Sequence, residues 1–377
     1  MGILIVDDSP MMQHLFRDVL VREGYANVHT ASSADEAFMF LGIHDEERPK
    51  KTTVQINLIL LDIVMPGMDG IEACKIIKKH DTYKDTPIIF ITASKSQIMD
   101  AFLAGGMDFI QKDFEQYELL ARVKSALSLK REMNARIARE IKIRRELQLA
   151  KQVQKSVLSQ PIVDGNIQIH GKYLESDEVS GDMFYWAQVS EDQYAILVLD
   201  VSGHGLSSAL ITMSVRSLLE RTIRQEVEPE RVFTELNEQM VQLFGGGKKL
   251  IYFTALYLLV DVKTKMIHYF NAGHPPGLVL SNDKVIDRLT TTTVPIGVKK
   301  NPPVKTGMLH YENQTRIILY TDGLVETPGV PVSVSINKLS DYVSLLRGQS
   351  NESFLEEVAV IKQNRSDDIC IISILLS

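Results

Sequence analysis

Two textures of hydrophobic patterning divide this chain. Over the first 125 residues, short apolar runs at 3–6, 27–29, 56–61, 88–91 and 108–110 alternate with helical periodicity at 10–23, from 34, at 70–80, 97–104 and from 115. Apolar strands separated by helices predict a parallel sheet covered on both faces, a doubly wound α/β domain. From 127 to 158 there is neither Pro nor Gly, and Met133, Ile137, Ile141, Leu147, Ala150, Val153 and Val157 recur at mostly helical spacing. One long helix is therefore expected to join the halves. Such a stripe cannot be buried on its own helix, so it is expected to pack on a domain or on a second copy as a coiled coil, although Arg144 and Arg145 interrupt it.

Past residue 160 the pattern changes. Strand-like segments at 168–174, 194–199, 253–261, 266–270, 277–280, 316–320 and 369–376 surround two helical stretches at 206–225 and 229–243. Strands grouped around a helix pair predict an α+β domain of antiparallel sheets layered with helices. The expected division is 1–125, a helical linker over 126–160, and 161–377.

A length of 377 residues suits two domains, and 45% hydrophobic with 24% charged residues is an ordinary globular composition. The net charge of −7 gives no reason to expect nucleic acid or an anionic membrane as partner. The basic face of the linker (Lys130, Arg131, Arg136, Arg139, Lys142) carries no interleaved aromatics and reads as a solvated surface. Cys74 and Cys370 lack partners in metal-type spacing and read as buried thiols of a reducing compartment. With no membrane-length apolar run and a strand at the N-terminus, a cytoplasmic protein is expected.

In a parallel sheet, functional groups gather at the carboxyl ends of strands. Those ends carry Asp7 and Asp8, Asp62, Thr92 and Lys112. Three carboxylates in one crevice repel one another unless a hard cation such as Mg²⁺ neutralises them, and Lys112 and the Thr92 hydroxyl suit phosphoryl oxygens. The polar stretch 45–53 reads as a solvated insertion. The segments Ile5-Val-Asp-Asp-Ser9, Leu61-Asp-Ile-Val-Met-Pro-Gly-Met-Asp-Gly70, Ile91-Thr-Ala-Ser94 and Asp108-Phe-Ile-Gln-Lys112 give residues 1–125 a resemblance to the receiver domain of two-component response regulators, a flavodoxin-like fold. That resemblance implies that Asp62 is the phospho-acceptor and that Asp7, Asp8 and Asp62, with the Val64 carbonyl, bind Mg²⁺. It further implies that Lys112 contacts the phosphate, that Thr92 and Phe109 form the switch pair, and that a sensor histidine kinase is the donor. Asp113 departs from the Pro that usually follows the lysine.

In the second half, Ser180-Gly-Asp182, Asp200-Val-Ser-Gly203, Thr321-Asp-Gly323 and Ser366-Asp-Asp368 lie at predicted strand ends. Separated Asp motifs beside glycines, with no His or Cys cluster of zinc type, suit an oxygen-ligand two-metal site that activates water for attack on phosphorus. Together with Leu149-Ala-Lys-Gln-Val-Gln-Lys-Ser-Val-Leu158, Asn271-Ala-Gly-His-Pro-Pro276 and Leu319-Tyr-Thr-Asp-Gly-Leu-Val-Glu326, these motifs resemble the metal-dependent Ser/Thr protein phosphatases of the PPM family. The likeness is to the bacterial sporulation and stress branch, whose substrates are phosphorylated anti-sigma-factor antagonists. The resemblance implies that Asp182, Asp200, Asp322 and Asp367 are the catalytic carboxylates and, with the Val201 carbonyl, hold two Mn²⁺ or Mg²⁺ ions, Asp368 being secondary. His204 and His274 read as turn and spacing residues. Trp186 stands where relatives often carry another Asp, and the segment 326–338 lacks the Gly-rich insertion usual after Thr-Asp-Gly, so both bear on substrate fit.

The expectation is a response regulator whose phosphorylation at Asp62 controls a protein-serine/threonine phosphatase, with a homodimer contact through the linker helix. The alternative is a pseudo-phosphatase that captures a sigma factor or adaptor. A degenerate domain usually loses acidic residues, and all four Asp motifs stand here. No helix-turn-helix pattern follows the receiver, which argues against a DNA-binding output.

Overall fold

The computed structural model describes residues 1–43, 54–93, 97–174, 179–203, 205–247, 250–346, 348–362 and 367–377. The polar stretch 45–53, His204 and Ser366 lie outside the described residues. Two compact units divide within one helix, Met1–Lys142 and Ile143–Ser377.

The first unit runs β1 (Gly2–Val6), α1 (Pro10–Arg22), β2 (Asn27–Ala31), α2 (Ala34–Leu41), β3 (Ile56–Asp62), α3 (Gly70–Lys79), β4 (Ile88–Thr92), α4 (Ile98–Leu103), β5 (Asp108–Gln111) and α5 (Gln116–Ser156). The strands pair in parallel in the order β2-β1-β3-β4-β5, so the strand order reverses between β1 and β3, where α/β sheets bind ligands. Strands β1, β3 and β4 are buried on both faces, which explains their unbroken apolar runs. Leu4, Val6, Ile59 and Leu61 pack on Phe38, Ala73 and Ile77, while Ile3, Ile5, Leu58 and Leu60 pack on Phe16, Leu20, Leu119 and Val123. Helix starts are fixed by side-chain caps: Ser9 Oγ accepts from Met12 N, Ser33 Oγ from Glu36 N and Asp69 Oδ1 from Glu72 N.

Helix α5 packs on its sheet through Leu119, Val123, Ala126 and Leu127. Beyond that stretch its apolar stripe stays open to solvent, with Ile137, Ile141 and Val153 between 45% and 48% exposed.

The second unit runs β6 (Ile162–Asp164), β7 (Ile167–Leu174), β8 (Asp182–Gln188), β9 (Gln193–Val201), α6 (Leu206–Gln225), α7 (Pro229–Phe244), β10 (Phe253–Asp261), β11 (Met266–Ala272), β12 (Gly277–Ser281), β13 (Lys284–Leu289), β14 (Gly307–His310), β15 (Thr315–Tyr320), α8 (Val332–Val343), α9 (Asn351–Val360) and β16 (Ile369–Leu376). Two antiparallel sheets form, ordered β14-β11-β10-β9-β8 and β13-β12-β15-β16-β7-β6. Their inner faces share a core of Phe184, Trp186, Ile196, Val198, Leu256, Ile317, Leu319, Ile372 and Ile374. On the outer face of the first sheet, Val215, Leu219, Phe233 and Leu236 of α6 and α7 cover Leu197 and Leu199. On the outer face of the second, Ile336, Leu339, Phe354 and Val358 of α8 and α9 cover Ile318 and Tyr320. The unit is a helix-sheet-sheet-helix sandwich.

Helices α8 and α9 and strands β8, β13 and β14 are not among the segments that periodicity picked out. The start of α8, Val-Ser-Val-Ser-Ile, alternates like a strand. Pro331 precedes it, and burial falls at Ile336, Leu339, Ser340 and Val343 with helical spacing, so packing decides against the local pattern. Strand β8 is buried on both faces over its first five residues and therefore has no alternation to read.

Candidate functional sites

In the first unit, Asp7 follows β1, Asp62 closes β3, and both are buried, while Asp8 is exposed. One ligand atom from each of Asp7, Asp8 and Asp62 lies within 4.8 Å of the others, the one such acidic group among the described residues. Lys112 reaches in with Nζ 2.7 Å from Asp62 Oδ2 and 3.3 Å from Asp7 Oδ2. Burial pushes the Asp62 carboxyl above its ordinary range; Asp7 adds to that, and the Lys112 bond opposes it. Burial alone would lower the Lys112 ammonium, but its bonds and charge pairing with Asp62 and Asp7 hold it above the usual lysine value. Val64 is exposed, and its N–H donates to Asp62 Oδ1 at 3.4 Å. Thr92 is buried at the end of β4. Phe109 is half-buried on β5, edge-on to Phe102 at 6.2 Å, with the Arg122 guanidinium 5.7 Å above its ring. Lys112 and Asp113 are joined by a trans peptide, as suits Asp in place of Pro. Gly70 is required by space: a Cβ there would sit 2.0 Å from the Asp62 carbonyl oxygen.

In the second unit, Asp182 opens β8 and Asp200 is next to last in β9, and register makes them direct cross-strand partners. Asp322 begins a 3-10 turn after β15, and Asp367 and Asp368 lead into β16, which pairs with β15. The ends of both sheets thus bring five carboxylates into one region, close enough to act on one another's charge, although no three of them meet within 4.8 Å as Asp7, Asp8 and Asp62 do. Thr321 ties the sheets: its hydroxyl accepts from Cys370 N at 2.8 Å and bonds the Asp182 carboxylate. Burial and then the Asp200 charge push Asp182 well above the usual carboxylate range. Asp200 is raised to about 7 by burial, then by Asp322, Asp367 and Asp368. Asp322 is raised to about 6 by burial, then by Glu326 and Asp367.

Every donor in this set is a hard oxygen, the groups destabilise one another as anions, and Asp182 Oδ2 is buried with no hydrogen-bond partner. A site of this kind fits divalent cations. Positive φ at Gly203 and Gly205, 98° and 79°, releases the chain from Val201 into α6. Gly323 leaves no room for a side chain, since a Cβ would lie 1.9 Å from the Asp368 carbonyl oxygen.

His274 is fully enclosed: ring Nδ1 meets Thr254 Oγ1 at 2.8 Å, the backbone N–H donates to Asn271 Oδ1, and burial drives the ring to about 3, leaving it neutral. Sequence reasoning passed over Lys362, whose ammonium donates to the carbonyls of Gly323 and Glu326 beside Asp322. A lone lysine after a helix gives no signal. Gln154, which stands in the 149–158 motif without an assigned role, is the one buried polar residue in the last turns of α5.

The family model for the response regulator receiver domain matches residues 3–124, and that for Stage II sporulation protein E (SpoIIE) matches residues 190–376. Phosphoserine phosphatase RsbP of Bacillus subtilis is 36% identical over 236 residues, 62% of this chain and 58% of RsbP. Chemotaxis protein CheY of the same organism is 33% identical over 126 residues, 33% of this chain and 97% of CheY. The SiaA-PP2C domain of Pseudomonas aeruginosa, at 19% identity, superposes with a TM-score of 0.53 over 64% of this chain and 99% of that domain, which shows the shared fold. The chain spans about half the length of the first curated relatives that it matches. With a CheY-like unit at its N-terminus and a SpoIIE-type unit of PP2C fold after it, the chain belongs to the response regulators.

Proposed function

We propose that this protein is a metal-dependent phosphoserine/phosphothreonine phosphatase whose activity is set by phosphorylation of Asp62. The observation that carries the reading is the convergence of Asp182, Asp200, Asp322, Asp367 and Asp368 at the meeting ends of two sheets, where burial and neighbouring carboxylates raise the proton affinity of Asp182, Asp200 and Asp322. Similarity to RsbP, a phosphoserine phosphatase, supports the substrate class, and the sporulation and stress branch supports a phosphorylated anti-sigma-factor antagonist as the natural substrate.

Asp182, Asp200, Asp322 and Asp367, with the Val201 carbonyl, would hold two Mn²⁺ or Mg²⁺ ions, and in the receiver Asp7, Asp8, Asp62 and the Val64 carbonyl would hold Mg²⁺. Bound divalent cations supply Lewis acidity toward water and phosphoryl oxygens. The chain's own residues do the positioning. Thr321 orients Asp182, the cross-strand register fixes Asp200 against Asp182, and Lys362 clamps the turn that presents Asp322. In the receiver, Lys112 holds the Asp62 carboxylate and is placed to meet a phosphoryl oxygen after transfer from a sensor histidine kinase.

The test is hydrolysis of a phosphoserine peptide with Mn²⁺ by wild type and Asp322→Asn. The expected result is a loss of at least about 100-fold in Asp322→Asn, on the scale of removing a group that stabilises transition-state charge. Absence of metal-dependent hydrolysis in the wild type would favour a domain that captures a partner without chemistry.

A further inference from the structure

We infer that the cavity between the Asp322 turn, α8 and α9 is a substrate-specificity pocket, which takes an apolar side chain standing a few residues from the phosphoserine of a phosphoprotein. This deepens the phosphatase reading and rests on it for the phosphate end of the substrate.

The cavity holds about 370 Å³, at the small end of the range for ligand pockets and enough for one or two aliphatic side chains. Leu324, Val325 and Leu339 line it and are buried. Val360 and Ile361, at the end of α9 and just past it, line it too, yet are 56% and 41% exposed, so the apolar lining runs out to solvent. Among the described residues that line it, Lys338 of α8 is the only charged one, and it is exposed. An apolar cavity beside a cation fits an aliphatic side chain with an acidic group next to it, not a basic peptide.

The wall of this cavity is continuous with the carboxylate site. Leu324 and Val325 follow Asp322 closely in the chain, and the 3-10 turn holds them there: Val325 N and Glu326 N both donate to Asp322 O, at 2.8 and 2.7 Å. Lys362, next along the chain from Ile361, donates to the carbonyls of Gly323 and Glu326 and so pins the α9 side of the cavity to the same turn. Two residues of chain span at most about 7 Å, so the cavity begins within reach of a short peptide whose phosphate meets the carboxylates. After Glu326 the chain turns back at once, Val330 N donating to Thr327 O at 3.0 Å, and α8 begins at Val332. No residues remain in that connection to cover the cavity. The short segment after Thr-Asp-Gly thus leaves the pocket open.

The experiment uses the full-length chain with Mn²⁺ and a set of alanine-rich phosphoserine peptides, identical except for one Leu placed in turn at each of the four positions on either side of the phosphoserine. Wild type is expected to prefer at least one Leu position over the all-Ala peptide by about tenfold or more in kcat/KM, the scale of filling an apolar pocket. Ser335→Phe puts a ring into the cavity from α8, and Val360→Glu puts a charge at its rim. Each should abolish that preference by raising KM, with kcat within about twofold of wild type. Val360 is exposed, so its variant serves if Ser335→Phe lacks a cooperative melt. Hydrolysis of p-nitrophenyl phosphate, which carries no such side chain, should stay within about twofold of wild type in both. Equal kcat/KM for all the peptides in wild type would overturn the inference, as would a preference that survives in both variants. Self-association of wild type that is lost in Val360→Glu, with no peptide preference, would assign the cavity to a second copy of the chain and overturn it too. If wild type hydrolyses neither the peptides nor p-nitrophenyl phosphate, the phosphatase reading fails, and binding of the same peptides labelled with fluorescein, read by anisotropy, then decides the pocket by the same preference.

Discussion

A carboxyl group buried among other carboxyl groups keeps its proton until a cation replaces it. With Asp200 raised to about 7 and Asp322 to about 6, the metal-free folded state holds protons that the unfolded chain has released. The sign follows: stability from this site falls as pH rises from about 4 to about 7, the reverse of the usual paired Asp. Thermal melts of the metal-free protein should therefore show lower melting temperatures at about pH 8 than at about pH 6, and Mn²⁺ should reverse the trend. Protons and metal compete for the same oxygens, so the Mn²⁺ half-saturation should rise by up to about tenfold per pH unit below about pH 7. A flat titration would contradict ligation by Asp200. At Gly323 the constraint is steric. Gly323→Ala places a Cβ 1.9 Å from the Asp368 carbonyl, so it should displace the Asp322 turn and lower Mn²⁺-dependent hydrolysis at least about tenfold while leaving the sandwich folded by circular dichroism.

Helix α5 crosses the division between the units, and part of its apolar stripe is exposed. Ile137 and Ile141 stand one turn apart and about half-exposed, a stripe that a second copy of the helix would cover. We expect the full-length protein to run as a dimer in light scattering and the double variant Ile137→Glu/Ile141→Glu to run as a monomer; a monomeric wild type would remove that expectation. How much of each element was legible follows from burial. The parallel sheet of the first unit was plain because runs such as Ile3 to Val6 and Leu58 to Leu61 are apolar throughout. Helix α8 was hidden because Val332 and Val334 alternate with serines and are in fact exposed. The acidic positions were legible because Asp beside Gly at a strand end is a local pattern. The contacts of Gln154, Thr321 and Lys362 were not, although the first two stand in quoted motifs, since their partners lie 26, 49 and 39 residues away and only the fold brings them near.

On the scale of the whole molecule, the covalent route between receiver and sandwich is a single helix, continuous from Gln116 to Ser156, that begins on the receiver core and ends bonded to Ser180, two residues before β8. On the proposed reading, control of the second site by the first would use that covalent route. The most direct test of receiver control is the rate of phosphoserine-peptide hydrolysis with Mn²⁺, with and without beryllofluoride, which mimics a phosphoryl group on Asp62, in wild type and in Asp62→Asn. A change of at least about threefold is expected in wild type and none in Asp62→Asn. Equal rates in wild type with and without beryllofluoride would contradict it, leaving two units that share a chain and not a signal.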